Sequence, residues 1–178
     1  MGNESESLWA SLLRSWERSL RARNLSSATI VKYVESGRQL VEYLATHGGP
    51  APRDVKRENV EAWIVHLTET RSAATASVRY RSVQQLFTYL LEEEEVDADP
   101  MARMRPPMVP EHQVPVVSVE ECQRLLKACE GRDFVARRDT AIVRLFLDTG
   151  VRLAELTGLS VSDVDLDADV IVVMGKGR

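Results

Sequence analysis

The chain has 178 residues, of which 44% are hydrophobic and 28% are charged, and its formal net charge is −4. These proportions are typical of a globular protein that can bury a core, in one domain or two small ones. No apolar stretch approaches the roughly 20 residues of a membrane-spanning helix, and the first residues lack the basic flank of a signal peptide, so we expect a soluble, cytoplasmic protein.

The basic side chains are concentrated in two parts of the sequence, although the net charge is negative. Residues 14–38 contain six basic and two acidic side chains, and residues 71–91 contain three arginines and no acid. Much of the compensating negative charge lies in residues 92–99. Salt screens exposed charges beyond about 10 Å, so the local field decides whether phosphates are attracted. The charge distribution therefore permits a nucleic-acid-binding surface.

The first hundred residues predict four amphipathic helices. The second begins after the cap candidates Ser26 and Ser27 and ends at Gly48-Gly49-Pro50. The third is predicted from about residue 57 to residue 70, and the fourth from about residue 74 to residue 94. Because the connections are short, we expect a compact bundle that forms a domain over residues 1–104.

Five prolines between residues 100 and 115 forbid regular helix, so residues 105–115 are predicted to be a linker. A second domain is expected over residues 116–178. The capping-box pattern Ser118-Val119-Glu120-Glu121 predicts a helix to about residue 130. A further helix is expected from Arg138 to Thr149, closed by Gly150. A short helix near Ala154 and a β-branched strand over residues 170–174 follow.

Cys122 and Cys129 lie seven residues apart on the first predicted helix of the second domain. That spacing corresponds to about 10 Å along the helix, which is too far for a disulfide. No histidine or second cysteine pair is near them. We therefore expect two buried thiols and no metal site.

The residues that could carry chemistry lie near the C-terminus. Residues 148–159 read Asp-Thr-Gly-Val-Arg-Leu-Ala-Glu-Leu-Thr-Gly-Leu, followed by Asp163 and by Gly175-Lys176-Gly177. The planar guanidinium of Arg152 can donate to two phosphate oxygens, and Glu155 lies one helical turn away, where it could orient it. Taken alone, this pair is more typical of a surface ion pair, and Lys176 of a solvated turn lysine.

The whole phrase, with Asp163 and Lys176 in register, resembles the first active-site arginine and the hairpin lysine of the tyrosine recombinases, the phage-integrase and Xer-type family. The resemblance implies a mainly α fold, in which a four-helix, SAM-like core-binding bundle precedes the start of a mixed α/β catalytic domain. It implies that Arg152 is the catalytic arginine, that Glu155 orients it, and that Lys176 protonates the leaving 5′ oxygen. The implied mechanism passes through a 3′-phosphotyrosyl intermediate and needs no cofactor.

The family's other catalytic residues, a His-x-x-Arg motif and a nucleophilic tyrosine, follow the hairpin, whereas every histidine and tyrosine of this sequence precedes Arg152. We therefore expect a truncated site-specific recombinase that keeps DNA binding and loses strand cleavage. A naturally short, cleavage-deficient accessory or competitor protein is the alternative, and a helical module unrelated to DNA is the third possibility.

The expected partner is a double-stranded recombination site, on which the family assembles as homo- or hetero-tetramers, so the protein is also expected to associate with the nucleoid. Helix starts, short hydroxyls, arginine and glutamine are suited to phosphates and base edges. The candidate DNA contacts are Ser26, Ser27, Thr29 and Lys32 in the second helix, and Thr75, Ser77, Arg79, Arg81 and Gln84 in the fourth.

Overall fold

The computed structural model describes residues 2–111 and 114–175. The chain divides into two compact units, residues 1–112 and 113–178. We call the first the bundle and the second the C-terminal unit.

The bundle consists of four long helices, as the sequence predicted. They are α1 (Gly2–Ala22), α2 (Ser27–Thr46), α3 (Arg57–Thr70) and α4 (Ala73–Glu92), with a 3₁₀ turn at Pro52–Asp54. Helix α2 packs against the other three. Since the loops between the helices are short, neighbours in sequence also become neighbours in space, which confirms the predicted four-helix bundle.

Aromatic and aliphatic side chains from all four helices fill the bundle core. The indole of Trp16 is 1% exposed and stacks on the Tyr33 ring, with the ring centroids 6.0 Å apart. A Cβ on Gly37 would lie 2.8 Å from Leu13 Cδ2 and 3.4 Å from Leu86 Cδ2, so the absence of a side chain lets α2 approach α1 and α4 closely. Other fully buried side chains are Trp63, Tyr80, Phe87, Leu40 and Leu90.

Polar contacts hold the ends of the bundle. The indole nitrogen of Trp9 donates to the carbonyl of Pro50 at 3.1 Å, which ties α1 to the loop after α2. The Tyr89 hydroxyl of α4 donates to Ser15 Oγ of α1 at 2.9 Å. Arg53 donates to the carbonyls of Glu94 and Glu95, after the end of α4. These bonds join segments far apart in sequence, so they fix how the helices are arranged.

The C-terminal unit contains α5 (Val119–Ala128), α6 (Phe134–Thr149), α7 (Leu153–Thr157), a 3₁₀ turn at Val161–Asp163 and two short strands. Ser118 caps α5 with the predicted reciprocal bonds, and Gly150 closes α6 at φ 64°. Helix α6 starts four residues earlier than predicted, because the Asp133 carboxylate accepts a hydrogen bond from the Ala136 amide and caps the helix there.

The strands differ from their prediction. Strand β1 (Val164–Asp165) pairs antiparallel with β2 (Val170–Ile171), and Val164 lies opposite Ile171. The predicted strand over residues 170–174 is therefore wrong in length, since regular pairing extends only to Ile171 within the described residues. The carboxylate of Asp165 accepts from the amides of Asp167 and Ala168 and shapes the turn between the strands.

Two smaller expectations concern cysteines and membranes. Cys122 and Cys129 are free, as predicted, but both are half-buried rather than buried. Within residues 2–111 and 114–175, no group of side chains is arranged to hold a metal ion. None of the helices in the same ranges is long and apolar enough to cross a membrane.

Candidate nucleic-acid interface and active-site arginine

Helices α2 and α4 begin with the same local structure. The Ser26 hydroxyl caps α2 by accepting from the Thr29 amide at 3.2 Å, and it lies 2.8 Å from Thr29 Oγ1. Ser72 and Thr75 repeat the arrangement at α4, with distances of 3.2 Å and 2.9 Å. Three predicted DNA-contact residues, Ser26, Thr29 and Thr75, therefore serve helix initiation. Ser27 is exposed at the first position of α2.

A groove of about 340 Å³ separates the first half of α2 from the first two turns of α4. Lys32 contributes to it from α2, and Thr75, Val78 and Arg79 contribute from α4. The structure thus brings three of the predicted contact residues, Lys32, Thr75 and Arg79, to one place. The lining of the groove is largely apolar, and it includes two cationic side chains.

Arg79 is the most unusual side chain of this groove. Its Nε is buried and has no hydrogen-bond partner among the residues that the structure describes. The groove also contains one acid, Glu35, whose carboxylate accepts from the amide of Gln39 at 2.8 Å. A buried donor without a partner is costly, and Arg79 lines the groove, so a shift of its side chain toward a ligand that accepts would relieve that cost.

The other residues of α4 that were predicted to contact DNA do not line the groove. Ser77 is 4% exposed, so its prediction as a DNA contact is corrected: a buried hydroxyl cannot reach a duplex. Arg81 is exposed and Gln84 half-buried. Gln84 lies five residues after Arg79, which is about 140° around the helix from it. Neither Arg81 nor Gln84 lines the groove.

Val78 was not among the predicted site residues, yet it is 53% exposed and lines the groove together with Lys32 and Arg79. The signal was present in the spacing, because Val78 follows Ala74 by four residues and Thr75 by three, which places the three on one face of α4. An apolar residue in an amphipathic helix usually indicates the buried face, so the sequence alone did not reveal that Val78 is exposed.

In the C-terminal unit, Arg152 is the N-cap residue of α7. The left-handed Gly150 ends α6, and Val151, 9% exposed, anchors the turn before Arg152. The Glu155 carboxylate accepts from the Arg152 backbone amide at 2.8 Å and from its Nη1 at 2.8 Å. The Arg152 side chain is 73% exposed, whereas that of Glu155 is 11% exposed. Glu155 therefore holds Arg152 in place while the guanidinium remains open to a ligand.

The same bonds lower the pKa of Glu155. The hydrogen bond from the Arg152 amide contributes most, followed by the hydrogen bond from its guanidinium, and the positive charge of Arg152 adds to both. Because the folded-state pKa lies below the unfolded value of about 4.3, the contribution of Glu155 to stability is complete above that pH. It is lost as the pH falls through the lower, folded-state pKa.

We expect the Arg152 amide resonance, followed by NMR in an acid titration, to shift with a midpoint below the ordinary glutamate value of about 4.3. Glu155→Gln should abolish that transition, because the amide side chain does not titrate. Glu120→Gln, on α5, serves as a matched control and should leave it unchanged. A midpoint at or above the ordinary value would contradict the bonding described for Glu155.

Asp163 and Lys176 are the two other residues that the sequence resemblance singled out. Lys176 lies outside the described residues. The Asp163 carboxylate accepts from the Ser160 amide at 2.8 Å and so holds the 3₁₀ turn after α7. Asp163 therefore has a local structural role, whereas Arg152 presents an exposed cationic surface.

Both units match known family models. Residues 12–96 match the phage integrase N-terminal SAM-like domain, and residues 115–178 match the phage integrase family. Tyrosine recombinase XerD of Shewanella oneidensis is 31% identical over 157 residues, which cover 88% of this chain and 52% of that protein. Tyrosine recombinase XerC of Roseiflexus castenholzii is 33% identical over 156 residues, covering 86% and 50%. The chain thus spans about half the length of these relatives.

Solved integrase structures share the fold. A lambda integrase tetramer bound to a Holliday junction superposes with a TM-score of 0.73 at 17% identity, over 93% of this chain and 49% of that one. The Tn1549 transposon integrase in complex with circular intermediate DNA gives 0.70 at 21% identity, over 92% and 53%. At such identities the likeness concerns the fold alone. Because both units match integrase models and named recombinases align along most of the sequence, the chain belongs to the tyrosine recombinase family.

Proposed function

We propose that this chain takes part in site-specific DNA recombination and that its bundle binds duplex DNA through the groove between α2 and α4. The observation that carries the proposal is that Lys32 and Arg79 line the same groove. The Nε of Arg79 has no hydrogen-bond partner among the described residues. Two cations in one groove suit the phosphates that flank a major groove, and an arginine fork can also reach a base edge.

Arg152 is proposed as the arginine that stabilises the cleaved phosphate. Phosphodiester cleavage places growing negative charge on equatorial oxygens, and an exposed guanidinium oriented by a carboxylate can donate to two of them. Glu155 fixes Arg152 from both its backbone and its side chain. Lys176 is proposed as the general acid for the leaving 5′ oxygen, as the family resemblance implies.

The proposed partners are double-stranded recombination sites and further recombinase protomers. One of the structures that share the fold is described as a tetramer on a Holliday junction and another as a complex with circular intermediate DNA. We propose the same kind of assembly for this protein, acting on DNA in the cytoplasm.

The test is the binding of this chain to a short fluorescent duplex, measured by anisotropy over a range of salt concentrations. If several phosphates are neutralised, the logarithm of affinity should fall linearly with the logarithm of salt, with a slope of about −0.9 for each phosphate. Absence of binding at low salt would remove the DNA-binding proposal, and an affinity that does not change with salt would remove the assignment of phosphate contacts to Lys32 and Arg79.

A further inference from the structure

The groove between α2 and α4 contains an apolar surface that phosphate binding leaves unexplained. Val78 is 53% exposed, and Ala74, one turn before it, lines the same groove. The hydroxyl of Thr75 is engaged with Ser72 at 2.9 Å, so its methyl group is the part left for other contacts. Isolated apolar residues are common on protein surfaces, but these three lie together in a groove that two cations also line.

Only one chemical group of double-stranded DNA is apolar and accessible from the major groove: the C5 methyl of thymine. Small apolar side chains such as alanine and the threonine methyl are the kind that contact it. We propose that Ala74, Thr75 and Val78 form a slot that reads the methyl group of one thymine in the recombination site. This inference rests on the proposed function and adds a specific base to it.

The charges around the slot fit this ligand. Lys32 and Arg79 line the same groove, so phosphates of the backbone and a neighbouring base edge can be bound while the methyl occupies the slot. Arg79 lines the groove, and its guanidinium carries several N–H donors that suit the two acceptors, N7 and O6, that guanine presents in the major groove. The groove contains one carboxylate, that of Glu35, which accepts a hydrogen bond from the Gln39 side-chain amide, so the two cations outnumber it. An apolar peptide surface would not require this arrangement of cations.

The experiment begins with selection of preferred sites from a pool of randomised duplexes by the wild-type chain. Each thymine of the selected site is then replaced by uracil, which removes only the C5 methyl. One such replacement should lower affinity about fourfold, the factor given by burial of one methyl-sized apolar group. Val78→Asn, which replaces the apolar surface with a polar amide of similar size, should bind the thymine and uracil duplexes equally well.

Val65→Asn is the matched control, since Val65 is 54% exposed on α3 and lies outside the groove. It should keep the thymine preference of the wild type. Binding that is insensitive to every uracil replacement would overturn the slot while leaving the proposed DNA binding intact, as would a preference retained in Val78→Asn. Failure to bind any duplex would overturn both the slot and the proposed function.

Discussion

Trp16→Ala is expected to lower the free energy of unfolding of the bundle by about 3 to 5 kcal/mol, the usual cost of truncating a buried large aromatic side chain. Trp16 is 1% exposed and stacks on Tyr33. It also packs beside Gly37, where α2 comes close to α1. Since small domains are stable by only about 5 to 15 kcal/mol, the substitution removes a large fraction of the total.

The measurement is urea denaturation followed by circular dichroism at the helical band, because the substitution removes a fluorophore. The midpoint should fall sharply, or the bundle should be largely unfolded without denaturant. Leu8→Ala is the control on the same helix, where the side chain is 43% exposed, and it should change stability little. Equal effects of the two substitutions would contradict the core position of Trp16.

Local signals explain the parts of the fold that the sequence predicted well. Ser26 and Ser118 cap helices where expected, and Gly150 ends α6 in the left-handed conformation. Each of these features depends on one side chain, or on its absence, acting on a backbone only a few residues away. The predicted start of α6 was wrong because Asp133 was not recognised as its cap, although aspartate is among the preferred residues there.

The site was harder to predict because it depends on which face of a helix is buried. Ser77 was assigned to the interface, yet helices bury serines readily: the hydroxyls of Ser36 and Ser82 donate to the carbonyls four residues before them. Residue type therefore did not reveal exposure. For Val78 the residue type misleads in the opposite direction. An apolar residue in an amphipathic helix predicts a core position, whereas the side chain of Val78 is exposed.

The environment of Arg79 could not be predicted at all. The sequence shows that residues 71–91 contain no acid, but partners from other helices become visible only when the chain is folded. In the structure, Glu35 lies in the same groove and is bonded to Gln39 instead. The excess of positive charge in the groove therefore arises from the packing of α2 against α4, which brings the two cations Lys32 and Arg79 beside the single carboxylate of Glu35.

Arg79→Glu is expected to weaken duplex binding by more than about a hundredfold, since a like charge placed in an interface costs several kcal/mol and about 1.4 kcal/mol corresponds to tenfold in affinity. The salt dependence should also become shallower, by about 0.9 in slope for each phosphate that the variant no longer neutralises. Anisotropy titrations of the same fluorescent duplex, at several salt concentrations, measure both quantities.

Two controls separate the specific role of Arg79 from a changed net charge or a damaged fold. Arg21→Glu makes the same change in net charge on α1, where the arginine is already paired with Glu17 at 2.7 Å, and it should weaken binding far less. Arg79→Lys keeps the charge but removes the planar fork, so it should retain most of the salt-dependent affinity while discriminating poorly between bases. If Arg21→Glu and Arg79→Glu weakened binding equally, the duplex would be responding to net charge, and the groove between α2 and α4 would not be its binding surface.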